Sequence, residues 1–168
     1  HNLDDKVESF FINILKGTGI RGTISMKFKN DYIIRPLMFA SRGEIVDYVK
    51  KNKLKYREDS SNSSDKYLRN KIRHKLIPIL KEINPSINKT INNDIRILTD
   101  TFTIYNNVIE KVFNDIVISY NSGFKILKKD LIQLEPLSIY IYEFFNRFGF
   151  SDFDAITKSI AKESGVQF

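Results

Sequence analysis

The chain has 168 residues, 42% of them apolar, enough to bury one good core or two small ones. It has no Cys, which excludes disulfides, zinc–thiolate sites and thiol catalysis; it also shows no apolar run of membrane-spanning length and no leader pattern, so insertion and secretion are not expected. The net charge of +7 is unevenly placed: residues 1–85 carry 18 Lys+Arg against 10 Asp+Glu, whereas residues 86–168 carry 9 against 10, so a polyanionic partner is expected at the first half.

Apolar residues at Leu3, Val7, Phe10, Phe11, Ile14 and Leu15 have the spacing of a one-faced helix, and Gly17 is placed to end it. Asn2 is a good N-cap, and Asp5 three residues on can close a capping box. Part of the acidity here is therefore what any helix start would choose. His1, Asp5 and Glu8, spaced by four and three residues, are expected to share a face turned away from much of the apolar stripe. Two carboxylates and an imidazole on one face can hold Mg2+, position an amine or handle protons.

Gly17-Thr18-Gly19-Ile20-Arg21-Gly22 is a literal G-x-G-x-x-G, but it follows a helix rather than a strand, so it is not a dinucleotide fingerprint. It reads either as a glycine-rich loop whose N–H groups and Arg21 approach a phosphate, or as a helix C-cap and turn with positive φ at Gly17 and Gly22. Tyr32-Ile33-Ile34 reads as a short strand that Pro36 stops, leaving Arg35 at its end as a ligand contact. Ser41 and Glu44 form a capping box for a helix with Ile45, Tyr48 and Val49 inward. Lys50, Lys51, Lys53 and Lys55, in and beyond its last turn, read as a solvated helix end.

The polar stretch Arg57–Asp65 is a loop by composition. A helix from about Asp65 shows apolar residues at Leu68, Ile72, Leu76, Ile79, Leu80 and Ile83, with Lys66, Arg69, Lys71, Arg73, His74 and Lys75 on its other faces. Arg69 and Arg73 are one turn apart and point together. Pro78 is expected to kink or interrupt this helix, and Asn84-Pro85 to end a first domain at residue 85.

In the second domain, 86–168, Ile91, Ile95, Leu98, Phe102, Tyr105, Ile109, Val112 and Ile116 alternate by four and three. They predict one long helix over about 87–119, roughly 45 Å at 1.5 Å per residue. Asn121-Ser122-Gly123 turns the chain into a strand-like Phe124–Leu127. Asp130 is expected to cap the next segment, and two shorter helices follow. One carries Leu137, Tyr140, Ile141, Phe144, Phe145 and Phe148 and closes at Gly149; the other starts at Ser151 with Asp154 and ends at Ser164-Gly165. Their aromatic residues sit in nearly uncharged surroundings and read as core.

Four motifs, in order, carry a resemblance. His1-Asn2-Leu3-Asp4-Asp5 with Glu8-Ser9, then Gly17–Gly22, then Ile34-Arg35-Pro36-Leu37, then Arg69-Asn70-Lys71-Ile72-Arg73-His74 are similar to those of the tRNA(Ile)-lysidine synthetase family, ATP-dependent ligases of the PP-loop pyrophosphatase type. The resemblance is strong over residues 1–86 and in outline beyond, and Asp59 and Asn62 match an Asp-x-x-Asn element that precedes the arginine helix. Ser9 stands where the family usually has Thr, and the family's Ser-Gly-Gly-x-Asp-Ser phosphate loop does not occur in these residues. The chain is accordingly read as an internal fragment of a longer cytoplasmic protein, inactive by itself.

The resemblance implies an α/β fold, the C-terminal part of a Rossmann-like PP-loop domain over 1–85, followed by a mainly α-helical domain, with the whole chain predominantly helical. It implies ATP and Mg2+ as cofactors. In that family ATP adenylates the C2 oxygen of the wobble cytidine in an isoleucine tRNA with a CAU anticodon, and the ε-amine of L-lysine displaces AMP, so the same chemistry is expected of the parent protein. Carried over by position, Asp5, Glu8 and Arg73 serve lysine recognition and activation. His1, Asp4, Gly19 and Arg21 serve the nucleotide or metal, and Arg35, Lys66, Arg69, Lys71 and Lys75 contact tRNA or its phosphates. A homodimer is left open, and no membrane partner is expected. Two other readings stay open: a non-catalytic basic RNA-binding helical module, and another PP-loop tRNA-modifying enzyme such as a thiolase, for many of which cysteines would be expected.

Overall fold

The structure, a computed structural model, describes residues 1–24, 26–57, 67–120 and 123–161. The chain divides into two compact units, His1–Phe102 and Thr103–Phe168. Described residues are predominantly helical, and no helix among them is long and apolar enough to cross a membrane.

The first unit begins with α1 (Leu3–Leu15). Its capping box is reciprocal: the Asp5 N–H donates to Asn2 Oδ1 and the Asn2 N–H to Asp5 Oδ2, each at 3.0 Å, so the acidic start is fixed by its own sequence. Leu3, Val7 and Phe10 face inward. The glycine-rich stretch forms a short helix, α2 (Gly19–Thr23), not an open loop. Positive φ occurs at Gly17 and Gly19, both +64°, instead of at Gly17 and Gly22. Gly22 is required for a different reason, since a Cβ there would run into the Thr18 side chain.

A two-stranded antiparallel hairpin follows, β1 (Lys29–Asn30) with β2 (Ile33–Ile34), in which Lys29 pairs with Ile34 and Asn30 with Ile33. Tyr32, expected in the strand, belongs to the turn beside Asp31, whose φ is +47°. Then α3 (Arg42–Lys51) starts on the predicted Ser41/Glu44 capping box. Ile45 and Val49 are half-buried, but Tyr48 is exposed, contrary to its expected inward position. The helical signal after the polar loop is realised as α4 (Tyr67–Lys71), a π-helical turn over Ile72–Leu76, and α5 (Ile77–Ile83). Pro78 lies in the first turn of α5, and the irregularity falls just before it. Having no N–H, Pro78 cannot bond the carbonyl four residues back, and the wider π turn spans that position. Val7, Ile72 and Ile77 form this unit's buried cluster, with Phe11, Ile12, Leu68, Leu76 and Ile91 against it.

The long helix α6 (Ile87–Ile116) runs 30 residues and contains the point of division between the units. It stops short of residue 119 because Val117–Tyr120 forms β3, which pairs antiparallel with β4 (Gly123–Ile126). The β-branched Val117 and Ile118 favour that strand once a partner is present. One-turn α7 (Lys128–Leu131), α8 (Leu137–Asn146) and α9 (Phe153–Ala161) complete the second unit. Asp130 lies inside α7, whose N-cap is Leu127, so it does not cap. Asp152, not Ser151, caps α9, accepting the Ala155 N–H at 2.9 Å. Ile109, Leu131 and Phe144 are buried together, Phe113 meets Phe144 edge to face at 5.3 Å, and Tyr140 and Phe145 pack against this cluster, whereas Tyr142 and Phe150 are exposed. Asp59, Asn62 and Lys66, the Asn121-Ser122 turn and the Ser164-Gly165 helix end lie outside the described residues.

Candidate functional site

Val7 of α1 packs with Ile72 of the π turn, and the polar residues next to them in sequence, Glu8 and Arg73, consequently meet. Arg73 donates from Nε to Glu8 Oε1 at 2.7 Å and from Nη2 to Oε2 at 2.9 Å, a two-pronged guanidinium–carboxylate pair. Arg69 Nε stands 3.7 Å from Glu8 Oε2, so the two arginines do point together. Glu8 is only 2% exposed, which corrects its expected place on an open face with His1. A carboxylate this deeply buried is tenable because two cations compensate for its lost hydration.

Asp5 is different. Its side chain is 29% exposed, its Oδ2 accepts the Asn2 N–H, and its Oδ1 lies 3.6 Å from Arg73 Nη2. Asp4 faces a third direction: Oδ2 accepts the Arg42 N–H at 2.6 Å and Oδ1 accepts from Asn88 Nδ2. It thereby fastens α1 to the starts of α3 and α6.

Above these groups opens a cleft of about 1160 Å3 within the first unit. Asp4, Asp5, Glu8, Glu44 and Asp47 supply its carboxylates; Arg42, Arg57, Arg73, Lys81 and Lys89 supply its cations, with His74 and Tyr56 alongside. A cleft carrying both signs at matched number suits a ligand that carries both signs, such as an amino acid beside a phosphate. The Ser41 backbone N–H, and after it the Ser41 hydroxyl, hold the Glu44 carboxyl below its usual 4.5, with Lys89 adding a smaller pull. Lys6, at the back of α1, donates to Asn92 Oδ1 at 2.8 Å and is drawn below 10.5 by burial.

Residues 1–80 match the model of a PP-loop domain, and residues 119–168 match that of the TilS substrate binding domain. The whole chain aligns at 35% identity over 170 residues with the tRNA(Ile)-lysidine synthase of Parabacteroides distasonis. This chain is similar to the tRNA(Ile)-lysidine synthases. It is 34% identical over 171 residues to the Bacteroides thetaiotaomicron synthase, and 45% identical to that of Thermosipho africanus over 91 residues, 54% of this chain and 21% of that protein. The chain spans 38% of the length of the Parabacteroides protein and 39% of the Bacteroides one.

In this relative of the lysidine synthases, the cleft gathers Asp4, Asp5, Glu8 and Arg73 from the predicted residues. The other described ones do not line it. Arg69 approaches Glu8, and Arg21 lies over the Phe102 ring at 5.1 Å. Gly19 opens α2, and His1, Lys71 and Lys75 are exposed. Arg35 clasps the hairpin, with Nη1 donating to the Lys27 carbonyl at 3.0 Å and its N–H to that of Phe28 at 2.8 Å. His74, Tyr56, Arg57, Lys81 and Lys89 line the cleft without having been singled out for it. His74 was within reach, being the last residue of the arginine motif; the lysines look in sequence like ordinary surface charge.

The PP-loop fold implies ATP. At the cleft, however, the Ser41, Arg42 and Glu44 N–H groups of the α3 start are already bound by Glu44, Asp4 and Ser41, so this helix start is not a ready phosphate nest. Among the described residues no three His, Asp or Glu side chains converge as an all-protein metal site requires. Mg2+ needs only one or two carboxylates when phosphate oxygens and water complete its shell, a part the partly exposed Asp5 could take.

Proposed function

We propose that this chain supplies the lysine-handling site of a tRNA(Ile)-lysidine synthase, an AMP-forming carbon–nitrogen ligase acting in the cytoplasm. In that reaction the C2 oxygen of the wobble cytidine attacks the α-phosphorus of ATP and pyrophosphate leaves. The deprotonated ε-amine of lysine then adds at C2, and the C2–O bond breaks to release AMP. The cleft residues contribute binding, orientation and proton handling. Residues 1–85 would belong to the catalytic domain and 86–168 to the helical one.

The observation that carries this reading is the Glu8–Arg73 pair lying beside the partly exposed Asp5 in a cleft of mixed charge. Glu8 spends both oxygens on Arg73, so its role is to aim the guanidinium. Arg73 then faces the lysine α-carboxylate or a phosphate oxygen, and Asp5 meets the amine as ammonium partner and proton acceptor. A module that only bound RNA would gain nothing from the partly exposed Asp5, a carboxylate that repels phosphate beside the arginine. The test uses a form of the protein that also carries the Ser-Gly-Gly-x-Asp-Ser loop. Lysine-dependent AMP release on a CAU isoleucine tRNA, with lysine incorporated into the RNA, is expected; AMP release that ignores lysine would refute the assignment.

A further inference from the structure

The run from Tyr48 to Arg57 is not explained by helix ending alone. Lys50 and Lys51 complement the last turn of α3, but Lys53, Lys55 and Arg57 lie past it, and all five cations are exposed. Tyr48, just ahead of them and next to Asp47, is 63% exposed, and Tyr56, between Lys55 and Arg57, 59%, so an exposed ring stands at each end of the lysines. The turn that sends the chain onward is a Schellman cap, in which the Lys53 N–H donates to the Lys50 carbonyl at 3.1 Å and the Leu54 N–H to that of Val49 at 3.0 Å. The residue at its left-handed position is Lys53, φ +52°, where glycine would be unstrained. A lysine there keeps the positive run continuous at some cost to the turn. Beyond it the chain passes through Lys55 to Tyr56 and Arg57, which form part of the cleft wall.

We propose that Tyr48–Arg57 is a track for unpaired RNA that leads loop nucleotides of the substrate into the cleft. Lys50, Lys51, Lys53 and Lys55 neutralise successive phosphates, and Tyr48 and Tyr56 stack on bases. Exposed rings favour unpaired RNA over duplex, because bases within a duplex offer no free face to a side chain. Charge alone would also draw an anionic membrane, but lysines bracketed by the exposed rings of Tyr48 and Tyr56 and ending at a polar cleft favour a nucleotide chain. This inference rests on the tRNA reading above.

The test measures binding of the chain to a labelled anticodon stem–loop RNA with a CAU loop, and to a blunt duplex of equal charge, between 50 and 200 mM KCl. The Lys50→Ala/Lys51→Ala/Lys53→Gly/Lys55→Ala variant is expected to bind at least about tenfold more weakly, with the log–log salt slope reduced by about 3. Tyr48→Leu/Tyr56→Leu is expected to lose at least about fivefold on the stem–loop and nothing on the duplex, with Tyr48→Phe/Tyr56→Phe restoring the loss. Should the fourfold variant fail to melt cooperatively, Lys55→Ala and Tyr56→Leu, both beyond the helix, carry the same comparison. Unchanged stem–loop affinity in the leucine pair overturns the track, as does duplex bound as tightly as stem–loop. It is equally overturned if the lysine variant loses binding only to vesicles containing phosphatidylserine. Lysine transfer that succeeds while these variants bind normally refutes the track alone, whereas binding through the track without lysine transfer refutes the function alone.

Discussion

Glu8 and Arg73, 65 residues apart in sequence, are joined by two hydrogen bonds of 2.7 and 2.9 Å, and the carboxylate of that pair is almost wholly shielded from water. Removing one charge strands the other. Glu8→Gln is therefore expected to destabilise the first unit by about 3 kcal/mol, the low end for a broken buried pair because Asp5 still lies near the arginine. Replacing both, Glu8→Leu with Arg73→Met, should cost less than either single change. Urea unfolding of the singles and the double measures this, and a Glu8→Gln loss below about 1 kcal/mol would show the pair to be dispensable.

Asp5 is the carboxylate that the cleft leaves partly exposed. Asp5→Asn preserves volume and can still accept the Asn2 N–H, so the melting temperature should change little. In a loop-bearing form, lysine transfer should fall at least about tenfold, since an amide neither pairs with an ammonium nor takes its proton, and a lost charge-assisted bond costs roughly 1.5–3 kcal/mol. A single-turnover assay that separates tRNA adenylation from lysine addition distinguishes these steps. Near-normal lysine addition by folded Asp5→Asn would remove this residue from the mechanism.

Asp4 uses its two oxygens to hold Arg42 N–H and Asn88 Nδ2. Asp4→Ala leaves both donors without their carboxylate and should destabilise by about 2 kcal/mol. Asp4→Asn should cost less, because its carbonyl can keep Arg42 while the Asn88 amide turns over to accept from the new amide. Thermal melts of the two variants compare these costs; equal losses would mean that the charge, rather than the pair of acceptors, matters.

Glu44 has a folded-state pKa below 4.5, lowered first by the Ser41 backbone N–H and next by its hydroxyl. With the folded pKa depressed, the folded state binds fewer protons than the unfolded one between the two values. The capping contribution is thus fully present above the ordinary glutamate value and is lost as pH falls through the lowered one. Melting curves of wild type and Glu44→Gln between pH 7 and 3 should converge at the acidic end. Curves separated by a constant gap would refute the linkage.

Features made within one or two turns of the chain were legible in the residues themselves. The Asn2/Asp5 and Ser41/Glu44 boxes each join residues three apart, and the apolar alternation through α6 gave its length to within three residues, because such bonds and periods depend only on spacing along one element. The resemblance to the lysidine synthases likewise rests on the order of four motifs along the chain. Tertiary structure alone decided that Glu8 is buried beneath Arg73, that Asp4 bridges to residues 38 and 84 positions away, and that Tyr48 stands in water while Tyr56 and Arg57 reach the cleft. It also decided that 117–120 leave the helix, since a strand needs the partner supplied by β4. The physical reason is common to these cases: helix period places a side chain on a face, but its charge environment depends on which distant element packs against that face. For Glu8 that element is the π turn, held in place by Val7 and Ile72 rather than by any pattern among the charged residues.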